Sequence, residues 1–173
     1  MIRVWVKIII YFVVFVLLQA LVMNNIHLFD IITPFVYLYV ILKLPVNLSR
    51  SQSVIISFLL GLVIDIFSDT YGMHAAACTL TGFICKPLID RFVDIKDMPE
   101  DSIPSFNVFG TGKFIRYILI LVAIHHITLF IIDSFSFFQP LLLITRILSS
   151  ILATSVLIFI IEAFNISKVR SGE

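Results

Sequence analysis

Long apolar runs constrain this chain more than any other feature. Val4 to Met23 is interrupted only by Lys7 and Gln19, and about 20 such residues suffice to cross a bilayer as a helix. Comparable runs follow, among them Phe114 to Ile132 and about Pro140 to Ala163. Composition agrees. Hydrophobic residues make up 60% of the chain and charged ones 13%, against roughly 45–50% and 25% in soluble domains. A soluble fold could not hide that much apolar surface, so the lipid bilayer is the expected solvent. The net charge of +1 says nothing of nucleic acid, and no nucleic-acid partner is expected. What matters is where the charges sit along the chain.

Taken in order, the expected spans are about 4–23, 28–44, 53–67, 73–89, 114–132 and 140–163, in a single integral membrane domain covering 1–173. Arg3 and Lys7 ahead of the first run suggest a signal peptide. No small-x-small cleavage pattern follows, however, and five more apolar segments come after, so an uncleaved helix is expected. The second segment contains Pro34 and meets Pro45. A start at Thr33-Pro34 would suit an N-cap and first helical position, but it leaves only Pro34–Leu44, too short to span. Either the helix begins earlier and bends at Pro34, or it continues past Pro45. The third and fourth spans form a hairpin around Ser68-Asp69-Thr70-Tyr71-Gly72. The hydrophilic stretch 91–113, rich in Pro, Gly, Ser and acids, is expected to be an irregular or mobile loop.

Charge sets the orientation. With a cytoplasmic amino terminus, the inside positions hold Arg3, Lys7, Lys43, Arg50, Lys86, Arg91, Lys96, Lys113, Arg116, Lys168 and Arg170, which is 11 of the 12 Lys and Arg residues. The outside turns hold only Asp30, Asp69 and Asp133, as the positive-inside rule requires. The expected fold class is therefore all-α, a polytopic membrane protein with six transmembrane helices and both termini cytoplasmic.

The remaining polar residues acquire depths from this layout. Asp65 lies about one helical turn below the outer end of the third span, and Asp69, four residues on, shares its face. His74 opens the fourth span near the same level. His125 and His126 lie somewhat deeper, and Arg146 falls roughly 9 Å below the outer surface at 1.5 Å per residue. All sit in the outer half, while Glu162 lies close to the cytoplasmic surface. A buried carboxylate and guanidinium each need a partner. One reading is an Asp65–Arg146 pair that fixes how the third and sixth spans pack; the other is a polar pocket opening outward for a ligand, a lipid or a partner helix. His125 and His126 point about 100° apart, so a shared metal is not expected. Gly61, Gly72, Gly82 and Ala75–Ala77 let helices approach closely. Cys78 and Cys85, seven residues apart on one helix, read as small packing residues. Phe135, Phe137 and Phe138 read as lipid-facing bulk. No phosphate loop, GxSxG, HExxH or Ser/Lys or Cys/His constellation is present, so neither catalysis nor a cofactor is expected.

Gly61-Leu62-Val63-Ile64-Asp65-Ile66-Phe67-Ser68, then Gly72-Met73-His74-Ala75, resembles the Gly-Leu-x-x-Asp-x-Phe-Ser and Gly-x-His-Ala pattern of the rod shape-determining protein MreD family. Pro34-Phe35-Val36-Tyr37 also fits that family's Pro-x-x-Tyr after the first turn. The resemblance implies a non-enzymatic component of the bacterial cytoplasmic (inner) membrane. It would bind the membrane-anchored MreC and help couple the MreB filament to peptidoglycan synthases in the elongation complex. It also implies similarity in fold to the substrate-binding S components of energy-coupling-factor vitamin transporters. On the residues themselves, a small-molecule-binding membrane protein using the outer pocket stands as the alternative to a scaffold.

Overall fold

The computed structural model describes residues 2–25, 32–94, 98–99, 102–134 and 139–170. Asp30, Lys96, the Phe135, Phe137 and Phe138 cluster, the beginning of the second span and the side chains of Arg3, Lys168 and Arg170 lie outside what is described. Among the described residues the chain is all-helical: α1 (Ile2–Leu21), α2 (Leu38–Leu42), α3 (Arg50–Ser68), α4 (Met73–Phe92), α5 (Phe106–Phe109), α6 (Thr111–Asp133) and α7 (Pro140–Arg170), with one turn of 3-10 helix at Met23–Asn25.

Four of these helices, α1, α3, α6 and α7, are long and apolar enough to cross a membrane. α4 has the length, 20 residues, but its hydropathy is diluted by small and polar residues such as His74, Thr79, Thr81 and Gly82 and by the charges at its end. The buried faces mix apolar residues with most of the small and polar ones, and the outer faces are largely apolar. On α3, Ser53, Ser57, Gly61 and Asp65 are buried while Ile55, Phe58, Leu59, Leu62 and Ile66 are exposed. On α1, Val4, Ile8, Phe15 and Gln19 face inward at helical spacing while Ile9, Val13, Leu17 and Leu21 face out. Small and polar groups at helix interfaces with large apolar groups on the perimeter are compatible with a bilayer as solvent.

The segment after Ile32 departs from the expected span. Residues 33–35 are in no regular element, and among the described residues the only helix before Pro45 in this stretch is the five-residue α2. It opens with bonds of the i to i−3 type, such as Tyr39 N–H to Val36 O at 3.0 Å. Neither a long helix bent at Pro34 nor one running through Pro45 forms among the described residues. Every residue from Pro34 to Val46 is buried, because α1, α4 and α6 pack around the segment. Non-helical backbone at membrane depth is tolerated only where protein or a water-filled cavity satisfies its polar groups. Here side chains do so: the N–H of Thr33 donates to Ser150 Oγ, that of Phe35 to Thr154 Oγ1 and that of Val36 to Gln19 Oε1, each at 3.0 Å. Gln19 Nε2 returns a bond to Pro34 O at 3.3 Å. Gln19, the one neutral polar residue of α1's apolar run, is thus a clamp on the central segment.

The described part of the hydrophilic stretch 91–113 carries more helix than an irregular loop would. α4 continues to Phe92, α6 begins at Thr111, and α5 lies between them. Ser102 O accepts from Val46 N–H at 2.9 Å, and buried Phe109 meets Phe114 and Tyr117 edge-on. The described part of the loop therefore closes one end of the bundle, the loop end. The α3–α4 turn, the end of α6 and the start of α7 form the other, the hairpin end.

Candidate functional site

At the hairpin end, α3 and α4 lock together. α3 ends at Ser68 and is capped by Asp69, whose left-handed φ of 52° an Asp can adopt, and Gly72 follows at φ 84°. These turns fold the start of α4 back over α3. Asp65 then accepts bonds from the backbone N–H of His74 (3.0 Å) and Ala75 (2.8 Å) and from Thr70 Oγ1 (2.5 Å). Orphan donors of a helix's first turn are satisfied by a carboxylate from the preceding helix. Gly61 permits the approach, since a Cβ there would lie 2.5 Å from His74 O and 2.6 Å from Ala75 Cα.

The expected Asp65–Arg146 pair does not form. Asp65 is consumed by the start of α4, the nearest set of donors, and Arg146 Nη1 instead lies 3.7 Å from Asp133 Oδ2. Asp69 is exposed in the turn and does not share Asp65's face, because the helix has already ended at Ser68. Gly72 serves the turn: a Cβ there would meet nothing within 4 Å, so no helix approach depends on it.

The histidines gather as a group around Phe35. Its ring centroid lies 5.4 Å from His74, 5.7 Å from His125 and 5.2 Å from His126. Tyr37 Oη bridges His74 Nδ1 at 2.7 Å and His125 Nε2 at 2.9 Å. One hydroxyl proton can serve only one of them, so the other ring must donate its own N–H to Tyr37. His126 is fixed differently. Its Nδ1 lies 2.8 Å from Val122 O and its Nε2 3.1 Å from Thr154 Oγ1. A carbonyl only accepts, so Nδ1 carries the proton and Thr154, itself accepting from Phe35 N–H, donates to Nε2. Among the described residues no three His, Cys, Asp or Glu side chains are grouped to hold a metal.

Between the lock and the start of α7 lies a cavity of about 370 Å³. Asn24, Ser68, Thr70, His74, Asp133 and Arg146 supply its polar lining, and Phe35, Phe67, Met73, Leu129 and Phe130 are among its apolar walls. Arg146 lies over Phe130, 5.1 Å from the ring centroid, and its buried Nε has no hydrogen-bond partner among the described residues. His74 and Arg146 thus border one cavity, while Asp65, His125 and His126 are absorbed into packing around it.

The loop end holds a polar site that the sequence reading missed. Lys43 Nζ and Glu162 Oε1 are 2.7 Å apart, with only 5% and 2% of their side chains exposed. Glu162 Oε2 accepts from Tyr39 Oη at 2.7 Å, which accepts from Asn165 Nδ2 at 2.6 Å. Lys43 also donates to Pro104 O at 2.7 Å. This site joins the central segment, α7 and the loop. Glu162, the one carboxylate within α7, was the signal for it, since such a group demands a cation.

Compared with known proteins, the chain matches no family model, no curated protein and no solved structure.

Proposed function

We propose that this chain is a non-enzymatic scaffold of the bacterial elongation complex, resident in the cytoplasmic membrane. There it binds MreC and helps couple MreB to peptidoglycan synthases. The observation that supports this reading is how the motif residues are used. Gly61, Asp65 and the backbone of His74 and Ala75 are spent on one another in the α3–α4 lock, with Gly72 making the turn, so the motif builds a hairpin and leaves Asp65 no free oxygen for chemistry. In this reading α1, the central segment 32–46, α3, α4, α6 and α7 make six crossings. The loop end, near Lys86, Arg91 and Lys113, faces the cytoplasm. Tyr71, 98% exposed at the hairpin turn, suits the opposite interface, where aromatic residues concentrate.

A second reading, a small-molecule-binding subunit similar to the S components of energy-coupling-factor transporters, is favoured by the hairpin-end cavity, whose volume lies within the roughly 300–1,000 Å³ of ligand pockets. The two separate in a detergent pull-down of the tagged chain from its native membrane, with copurifying proteins identified by mass spectrometry. Recovery of MreC and wall synthases is expected. Recovery of a paired ATPase with a coupling subunit, and no MreC, would overturn the scaffold in favour of capture.

A further inference from the structure

The hairpin-end cavity has two walls of opposite electrostatic character. On one side Asp133 is the last residue of α6. A carboxylate there adds to the negative end of the helix and to its unsatisfied carbonyl groups, an arrangement that attracts a cation. On the other side stands Arg146, in the second turn of α7, where the positive end of the helix does nothing to stabilise it. The two charges do not close on each other. Their separation of 3.7 Å exceeds the roughly 2.7–2.9 Å of a charge-assisted bond, and among the described residues Nη1 alone is engaged while Nε is buried without a hydrogen-bond partner. Five fixed donors on Arg146 are therefore underused.

The remaining lining extends both walls. Asn24, Ser68 and Thr70 add hydroxyl and amide groups. Phe67, 55% exposed, lies at the margin and joins the cavity to the apolar perimeter of the bundle. A purely anionic ligand would meet the Asp133 carboxylate, and a purely cationic one would meet the guanidinium. A ligand carrying both charges meets complementary groups.

We infer that this cavity binds a zwitterion in which a phosphate group is carried close to a primary ammonium, the phosphate on Arg146 and the ammonium on Asp133 with the α6 carbonyl end. Two sources supply that chemistry: the headgroup of an ethanolamine phospholipid, entering past Phe67 with its acyl chains along the apolar perimeter, and a soluble aminoalkyl phosphate. The inference is independent of the scaffold reading and names the ligand class for the cavity on which the second reading rests.

The test uses the full chain, purified without partners, in nanodiscs of equal parts phosphatidylethanolamine and phosphatidylglycerol, followed by native mass spectrometry of retained lipid. The wild type is expected to retain phosphatidylethanolamine in preference. Arg146→Gln should weaken that retention roughly tenfold, the equivalent of one charge-assisted contact. Asp133→Asn should reverse the preference towards phosphatidylglycerol, a swap that a change in folding alone would not produce. In a parallel arm, delipidated protein in detergent is melted with phosphoethanolamine. A rise in melting temperature that Arg146→Gln abolishes, without lipid preference in the discs, assigns the soluble source. Equal retention of both lipids by the wild type together with no melting shift overturns the inference, as does a wild-type preference that neither variant alters. None of these outcomes depends on MreC, so failure here leaves the pull-down result standing, and the reverse.

Discussion

Arg146 and Asp133 stand 3.7 Å apart with 32% and 39% of their side chains exposed, whereas Glu162, further along α7 from Arg146, closes on Lys43 of the central segment to 2.7 Å with at most 5% of either side chain exposed. Sixteen residues of α7 separate Arg146 from Glu162, roughly 24 Å along the helix. The loop-end pair has every oxygen of its carboxylate engaged, by Lys43 and by Tyr39. The hairpin-end pair borders a cavity and has a donor to spare. One chain thus uses the same chemistry in two ways: a closed ion pair that joins three segments, and an open pair poised to receive something. The difference lies in what surrounds the charges. Lys43 is flanked by the rings of Tyr39 and Phe114 at 5.4 and 5.1 Å, which help close the pair off from solvent.

The largest expected effect comes from breaking the closed site. Glu162→Ala strands Lys43 in the bundle and should destabilise it by about 3–5 kcal/mol, measured by reversible unfolding in detergent. Adding Lys43→Met should recover most of that loss, because replacing a buried pair by apolar groups is often close to neutral. If the double variant were as unstable as the single one, Tyr39 and Asn165 rather than the charge would be what Glu162 serves.

Next comes the lock. Gly61→Ala puts a methyl group against the backbone of His74 and Ala75, and overpacking of this kind costs about 1–3 kcal/mol. Because backbone rather than a flexible side chain must move, α3 and α4 should separate at the turn. A disulfide-trapping pair placed across the hairpin would then cross-link more slowly than in the parent. Unchanged cross-linking and stability would mean that the close approach is not required.

These two sites also show what could be read from the residues alone. The five long helices follow from apolar runs and from the turn residues between α3 and α4, all of which are local signals. The central segment does not. Residues 33–35 stay out of a helix where Ser150, Thr154 and Gln19 accept the N–H groups of Thr33, Phe35 and Val36, and Ser150 and Thr154 are more than a hundred positions away. The Lys43–Glu162 pair spans a similar separation, and counting Lys43 among the cytoplasmic charges that set orientation concealed it. The cluster of Asp65, His74, His125, His126 and Arg146 at one end was legible from depth counting. Its pairing was not, since depth says nothing about which donor is nearer, and the N–H groups of α4 were nearer to Asp65 than any guanidinium.

That correction gives the next prediction. Asp65→Ala removes the acceptor for two N–H groups and should cost about 0.5–2 kcal/mol, the range of a lost helix cap. In a double-mutant cycle with Arg146→Gln the two losses should add, because the residues share no partner. A coupling energy above about 0.5 kcal/mol would restore the Asp65–Arg146 pairing. Asp65→Asn sharpens the result further, since its amide oxygen can still accept one of the two bonds and should retain part of the stability.

The smallest change in stability should follow substitution of the open pair itself. A long, partly exposed ion pair contributes about 0–1 kcal/mol, so Arg146→Gln and Asp133→Asn should leave the detergent unfolding midpoint nearly where it was. Arg146→Gln even removes a buried Nε donor that has no partner in the bundle, which offsets part of any Coulombic loss. Removing either partner of a closed pair such as Lys43–Glu162 should not be so mild. The contrast can be read in one experiment: melt all four single variants, at Lys43, Glu162, Asp133 and Arg146, side by side. If the hairpin-end variants fell as far as the loop-end ones, Arg146 and Asp133 would be a structural clamp, and the cavity between the walls would have no claim to a ligand. If they barely move while their lipid preferences change, the bundle's stability resides in the closed pair and the open pair is free to bind.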